Sequence, residues 1–317
     1  MFLLLNEYQL EILDFEIKIQ EILPALETAR MIYQSPEDIE NMVRSLGSTT
    51  LNSLQYNTDY KPSKIQVQVP SLVPRMPSQF TLHRRLDIIR SGDVLITSID
   101  SGDYLQDCKL SGEPWDIAVI PGENKAVATL PSLSLIEFID INTMTASSKH
   151  SIPGGGLGVA IVNDKICVCG YQEPGIINIF NKQGKFINSL KVPDVAGYIM
   201  YLHPGPGDSV YYTDIHYRAV GCTTLEGEQR FRYTSTDLIG PNAVITDKTG
   251  NLYVACKDSN NIQRITPNGE FLDMILNTEN DIYDPTDILF SKDYRKLFAL
   301  NHVKNNTYII VFLCSYR

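Results

Sequence analysis

Pro241-Asn242-Ala243-Val244, Leu252-Tyr253-Val254-Ala255, Asn261-Ile262-Gln263-Arg264-Ile265 and Glu270–Ile275 form one unit of four short apolar segments, the last two joined by Thr266-Pro267-Asn268-Gly269. Each segment is too short for a helix. Each is rich in β-branched and aromatic residues and bounded by Gly, Pro, Asn or Asp, which reads as strand and turn. Outward from this unit the phrase recurs about every 40 to 45 residues, opening at Pro114-Trp115-Asp116-Ile117, Gly156-Leu157-Gly158-Val159, Ala196-Gly197-Tyr198-Ile199 and Pro285-Thr286-Asp287-Ile288. Second strands follow at Ala126–Thr129, Ile166–Cys169, Val210–Thr213 and Leu297–Leu300. A near-constant period with four strands per unit is the signature of a β-propeller blade.

Residues 114–317 supply five such repeats, the last with three strands only. Before them, Leu82–Leu110 adds Val94-Leu95-Ile96-Thr97 and Tyr104–Leu110, around a Ser101-Gly102-Asp103 turn. Counted from Asp87 to Gly112, this first unit spans about 26 residues and lacks an innermost strand. The expectation is an all-β, six-bladed ring over residues 80–317 with a short first blade. An N-terminal strand near Phe80–Arg84 is expected to complete the last blade, because an open ring leaves edge hydrogen bonds unpaired.

The N-terminal residues have a different period. Leu5, Tyr8, Ile12, Phe15, Ile19, Ile22 and Leu26 alternate in steps of three and four, and Ala29 and Tyr33 continue the run. That is the heptad seam of an α-helical coiled coil, with Glu, Asp, Lys and Gln on the outer face. Pro24 is expected to kink it. Ser35-Pro36-Glu37-Asp38 then caps a second helix whose stripe is Ile39, Met42, Val43 and Leu46, ending near Gly47. Residues 48–79 are rich in Pro, Ser, Thr and Asn, which is linker chemistry. The seam predicts a homodimer through residues 1–47.

The net charge of −10 argues against a general nucleic-acid or anionic-membrane binder. Residues 1–85 hold 8 Lys/Arg and 10 Asp/Glu, leaving 19 and 27 for the repeats, so the repeat region is itself acidic. Six cysteines are scattered without Cys-x-x-Cys spacing, and read as reduced thiols in strands rather than zinc ligands. Met1-Phe2-Leu3-Leu4-Leu5 is too short for a secretory core, and no stretch approaches membrane-spanning length. The expectation is a cytoplasmic protein with no membrane partner, no cofactor and protein targets.

Gly250-Asn251-Leu252-Tyr253-Val254-Ala255, Ser259-Asn260-Asn261-Ile262-Gln263-Arg264-Ile265 and Pro267-Asn268-Gly269-Glu270-Phe271 resemble the repeat of NHL-type propellers. Leu110-Ser111-Gly112-Glu113-Pro114-Trp115-Asp116-Ile117-Ala118-Val119-Ile120-Pro121 resembles the expanded tripartite-motif-like proteins of bivalve molluscs. In that family a RING finger, B-boxes and a coiled coil precede an NHL-like ring. The resemblance implies a substrate-recognition and dimerising role in ubiquitin-dependent regulation or innate immunity. RING and B-box modules need Cys/His clusters, and residues 1–85 contain no cysteine and the single histidine His83. Ubiquitin transfer by this chain itself is therefore not expected.

Glu113, Asp116, Asn242 and Asp287 occur at blade openings, where propeller ligands bind. Asp116, Tyr217, Arg218 and Arg232 are candidates for protein contact. Glu113, Asn242 and Asp287 resemble the cation-binding set of calcium-dependent gluconolactonase-type hydrolases, in which a divalent ion polarises a carbonyl and activates water. Polar residues capping strand ends are the plainer reading. Arg218, Arg230, Arg232, Tyr217 and Tyr233 form the one basic and aromatic cluster, which an RNA-binding ring would need on one face. Trp115 reads as packed between blades. Pro153-Gly154-Gly155-Gly156-Leu157-Gly158 leads into a strand, so it is not a nucleotide loop.

Overall fold

The computed structural model describes residues 77–87, 94–97, 104–171, 173–195, 197–291, 293–303 and 306–316. The helical seam from Leu5 to Leu26, the second helix and nearly all of the linker lie outside these residues.

The chain enters through β1 (Pro77–Asp87), then β2 (Val94–Thr97) and β3 (Tyr104–Cys108). Five four-stranded antiparallel sheets follow. The first is β4 (Ile117–Val119), β5 (Lys125–Leu130), β6 (Leu135–Asp140) and β7 (Thr145–Ser151). The second is β8 (Val159–Val162), β9 (Lys165–Cys169), β10 (Ile176–Asn181) and β11 (Phe186–Lys191). The third is β12 (Ile199–Pro204), β13 (Ser209–Asp214), β14 (Ala219–Thr224) and β15 (Gln229–Thr234). The fourth is β16 (Pro241–Thr246), β17 (Leu252–Cys256), β18 (Asn261–Ile265) and β19 (Phe271–Leu276). The fifth is β20 (Pro285–Phe290), β21 (Lys296–Val303), β22 (Asn306–Tyr316) and, as its outermost strand, β1.

The molecule is an all-β propeller with five blades, not the six expected. Among the described residues β2 and β3 pair only with each other. The reason is length: a complete blade here takes 40 to 45 residues, and the 26-residue first unit holds strand material for half of one. The expected closure is present. Phe80 pairs with Cys314 and Thr81 with Leu313, so β1 covers the edge that β22 would otherwise leave open.

Burial explains why the second strands are continuous apolar runs rather than alternating ones. Every residue of β13 and β17 is buried, because neighbouring blades cover both faces, whereas β7 and β11 are mostly exposed. Distinct cores fill the spaces between successive blades. Phe138 and Ile136 meet Val159 and Phe180; Cys167 and Ile179 meet Leu202 and Tyr212; Val220 meets Val254; Tyr253 meets Phe290 and Phe312. Cys108 and Leu110 cover the other face of the first blade. At roughly 1.5–3 kcal/mol for each large apolar side chain buried, these interfaces hold the blades in order. All six cysteines are buried thiols outside any disulfide.

The turn from β16 to β17 accounts for the most legible part of the repeat. Asp247 Oδ1 accepts from the Thr249 and Asn251 amides at 2.8 and 3.0 Å, and its Oδ2 accepts from Tyr253 OH at 3.2 Å. Gly250 sits at φ +81°, a conformation that a side chain strains. Arg264 then donates to Asp273 through two nitrogens, at 2.9 and 2.6 Å, and ties β18 to β19.

Candidate functional site

The inner strands begin at one end of the ring, and the loops joining second to third strands return to the same end. Together they line a cavity of about 570 Å³. Every blade contributes: Glu113 and Trp115 from the first, Tyr171 from the second, Tyr201 from the third, Asn242 and Lys257 from the fourth, Thr286 and His302 from the fifth. This is the axial mouth. Beneath it the inner strands enclose a channel of about 260 Å³, lined by Asp116, His203 and Asp287 among apolar residues. Tyr201 lines both spaces, so the mouth runs on into the channel.

Register slips in the inner strands shape this end. Pairing slips between Ile199 and Leu202 in β12, and between Pro241 and Val244 in β16. Such bulges release backbone groups from the ladder. Thr213, fully buried, takes up two of them: its Oγ1 accepts from the Tyr201 amide at 3.2 Å and donates to the Asn242 carbonyl of the next blade at 2.8 Å. Thr129 does the same between the first and second blades, accepting from the Asp116 amide at 3.1 Å and donating to the Leu157 carbonyl at 2.5 Å. Gly158 lets β8 approach β12: a Cβ there would stand 2.7 Å from Tyr201 Cα.

Three polar atoms on mouth-lining residues are buried without a hydrogen-bond partner: Trp115 Nε1, Asn242 Oδ1 and Thr286 Oγ1. Each such group costs about 1–3 kcal/mol when left unpaired, and folded proteins leave few of them. Trp115 is half-buried, its ring tilted 41° to that of Tyr201 at 6.4 Å. It therefore does more than pack between blades; it forms a wall of the cavity.

The channel carboxyls are perturbed. Asp116 Oδ1 accepts from the Ile117 amide and Oδ2 from the Val159 amide, both at 2.8 Å, which stitches β4 to β8. Burial, with a smaller push from Asp287 and against the two amides, raises its pKa to about 8. Burial also pushes Asp287 up to about 7, against one amide bond from Ile288 at 2.8 Å. Both residues keep some surface on the channel, yet protein surrounds the carboxyls closely enough to disfavour charge. His203, whose Nε2 lies 3.1 Å from Thr246 Oγ1, is pushed down to about 4 by burial and stays neutral.

Of the residues singled out in the sequence, Glu113 and Asn242 share the mouth, while Asp287 lies in the channel with Asp116. Among the described residues no three His, Cys, Asp or Glu side chains gather to hold a metal ion. Tyr217 and Arg218 are exposed on the β13–β14 turn, and the Arg232 guanidinium lies 5.8 Å from the Tyr217 ring while pairing with buried Asp214 at 3.1 Å. Arg230 pairs instead with Glu228, and Tyr233 donates to Gln263 of the next blade. Neighbours in a strand point to opposite faces, so Arg232 and Tyr233 of β15 do not share one. Tyr201 and the role of Thr286 were not legible in the sequence.

The fold and its axial mouth define a β-propeller with a ligand-sized opening. No family model matches the chain, and no curated protein matches it. Among solved structures, a streptogramin B lyase is 14% identical over 74% of this chain and 98% of its own, with a TM-score of 0.56. A catalytically inactive virginiamycin B lyase from Staphylococcus aureus, with quinupristin, is 17% identical over 73% and 88%, at 0.52. Hydrazine synthase of Kuenenia stuttgartiensis is 13% identical over 76% and 84%, at 0.54. In all, 1242 chains match, so the likeness speaks to architecture and not to chemistry. Among the described residues no helix is long and apolar enough to cross a membrane.

Proposed function

We propose that this chain is a protein-recognition module whose axial mouth receives a segment of a target protein. The observation that carries the reading is the composition of the mouth. Aromatic and proline walls offer apolar area, and the lining residues Trp115, Asn242 and Thr286 carry, buried beneath that surface, one donor, one acceptor and one hydroxyl without partners. A peptide, with its alternating amide donors and acceptors, answers all three. By resemblance alone, the target would be one under ubiquitin-dependent control, presented to two rings paired through residues 1–47. Pairing would raise effective concentration without new contacts.

Trp115 is the sole tryptophan and stands in the cavity wall, so its emission reports directly on the mouth. Peptides selected from a random displayed pool against the full chain should shift that emission on saturation. Asn242→Leu and Thr286→Val should weaken them about tenfold each, the loss expected for one hydrogen bond of about 1.4 kcal/mol. Selected peptides that leave the emission unchanged, and bind both variants as tightly as wild type, would refute the reading.

A further inference from the structure

We infer that the target side chain entering the mouth is basic, an arginine or lysine, and that its charged head lodges over the carboxyls of Asp116 and Asp287. The inference rests on the mouth being the recognition site. The mouth and the channel are continuous. Asp116 follows Trp115 directly and Asp287 follows Thr286, so a side chain that passes the mouth-lining pair meets the carboxyls one residue deeper. Tyr201, common to mouth and channel, lines the whole route.

The Trp115 and Tyr201 rings supply aromatic faces for an alkyl stem and for a cation over the ring. Asn242 is only 4% exposed and its Oδ1 has no partner, and the Thr286 hydroxyl can also accept. With two carboxyls below, the route is rich in acceptors. A guanidinium carries five donors and no acceptor, and an ammonium three. Among the described residues no cationic side chain lies within 4.0 Å of Asp116 or Asp287, so these residues leave both carboxyls open to an incoming cation.

Among the described residues the groups that face the two carboxyls are the hydroxyl of Tyr201 and the thiol of Cys169, both held neutral by burial, while neutral His203 lines the same channel. At the rim stand Glu113, His302 and Lys257, the last 3.8 Å from Asp284. With pKa values near 8 and 7, the two carboxyls are partly protonated at neutral pH. An arriving cation lowers both and expels protons, so affinity rises with pH between about 6 and 8.5.

The test is a selection of random displayed octapeptides on the full chain at pH 8.5, followed by synthetic peptides read by Trp115 emission. The expected result is a shared Arg or Lys, at least tenfold weaker binding when that residue becomes neutral citrulline or norleucine, and several-fold tighter binding at pH 8.5 than at 6. Asp287→Asn should abolish the preference for the charged residue. That variant keeps the Oδ1 acceptor for the Ile288 amide, and the pH dependence of wild type provides a readout that needs no variant. Peptides that require Asn242 and Thr286 but carry no basic residue would overturn this inference and leave the recognition reading standing. No peptide that perturbs Trp115 would overturn both. Calcium alone shifting the emission, with loss of that shift in Asp287→Asn, would assign the acceptors to a metal and overturn the inference as well.

Discussion

Replacing Thr213 by valine tests how neighbouring blades are joined. Valine keeps the shape and removes the hydroxyl, deleting its bonds with the Tyr201 amide and the Asn242 carbonyl. Both belong to slipped stretches of β12 and β16, so no ladder bond replaces it. Tyr201 and Asn242 are 7% and 4% exposed, which makes each lost bond expensive, at about 1–3 kcal/mol. Water entering the mouth relieves part of that, so the expected loss is about 3 kcal/mol for the pair rather than the upper sum. In equilibrium urea unfolding this lowers the midpoint by about 1 M, at a slope of about 3 kcal/mol/M. Thr213→Ser keeps the oxygen and removes one methyl, and should cost only about 1 kcal/mol. A valine variant within 0.5 kcal/mol of wild type, or a serine variant as damaged as the valine, would refute the reasoning, because the methyl and not the hydroxyl would then matter.

Gly158→Ala should cost at least about 2 kcal/mol, because the new Cβ meets backbone atoms, Tyr201 Cα at 2.7 Å and Leu202 N at 2.9 Å, which cannot rotate away. Thermal denaturation should show a fall of several degrees; an unchanged midpoint would mean that the second and third blades separate freely. Asp287 has a folded pKa raised from 3.8 to about 7, so the fold binds its proton more tightly than the unfolded chain does. That stability is fully present below pH 3.8 and is lost as pH rises through 7. Asp287→Asn is neutral throughout, so its advantage over wild type should grow from pH 5 to pH 8. A difference that is constant with pH would exclude the perturbed carboxyl.

The repeat was legible because it is built from local rules: apolar triplets and quartets, Gly250 where φ is positive, and Pro267-Asn268-Gly269 at a hairpin tip. The closing strand was legible too, from a last repeat one strand short. The blade count was not, since two strands in the first unit look alike whether or not a complete blade surrounds them. The mouth was half legible. Trp115, Asn242 and Asp287 stand in the opening phrases themselves, but the third blade's phrase was assigned to Ala196–Ile199. The residues that occupy the corresponding ring positions are Met200 and Tyr201, displaced by the slip between Ile199 and Leu202. A bulge leaves no trace in the hydrophobic pattern because β12 is apolar on both sides of it. The carboxyl pKa values depend on what five blades bring together, which no single repeat contains.

The pairing of β1 with β22 has a consequence for how the chain is made. Its two strands lie roughly 230 residues apart, so at about 5–20 residues per second the ribosome delivers β22 some ten to fifty seconds after β1. For that interval β1 is an orphan with both edges open, and the nascent ring ends in blades whose inner faces have no neighbour. Folding of the last blade must wait for synthesis rather than for diffusion. During the wait, the strand of a neighbouring nascent chain on the same message is an equally good partner for β1. A ring closed in this way has its last blade completed only once synthesis reaches β22.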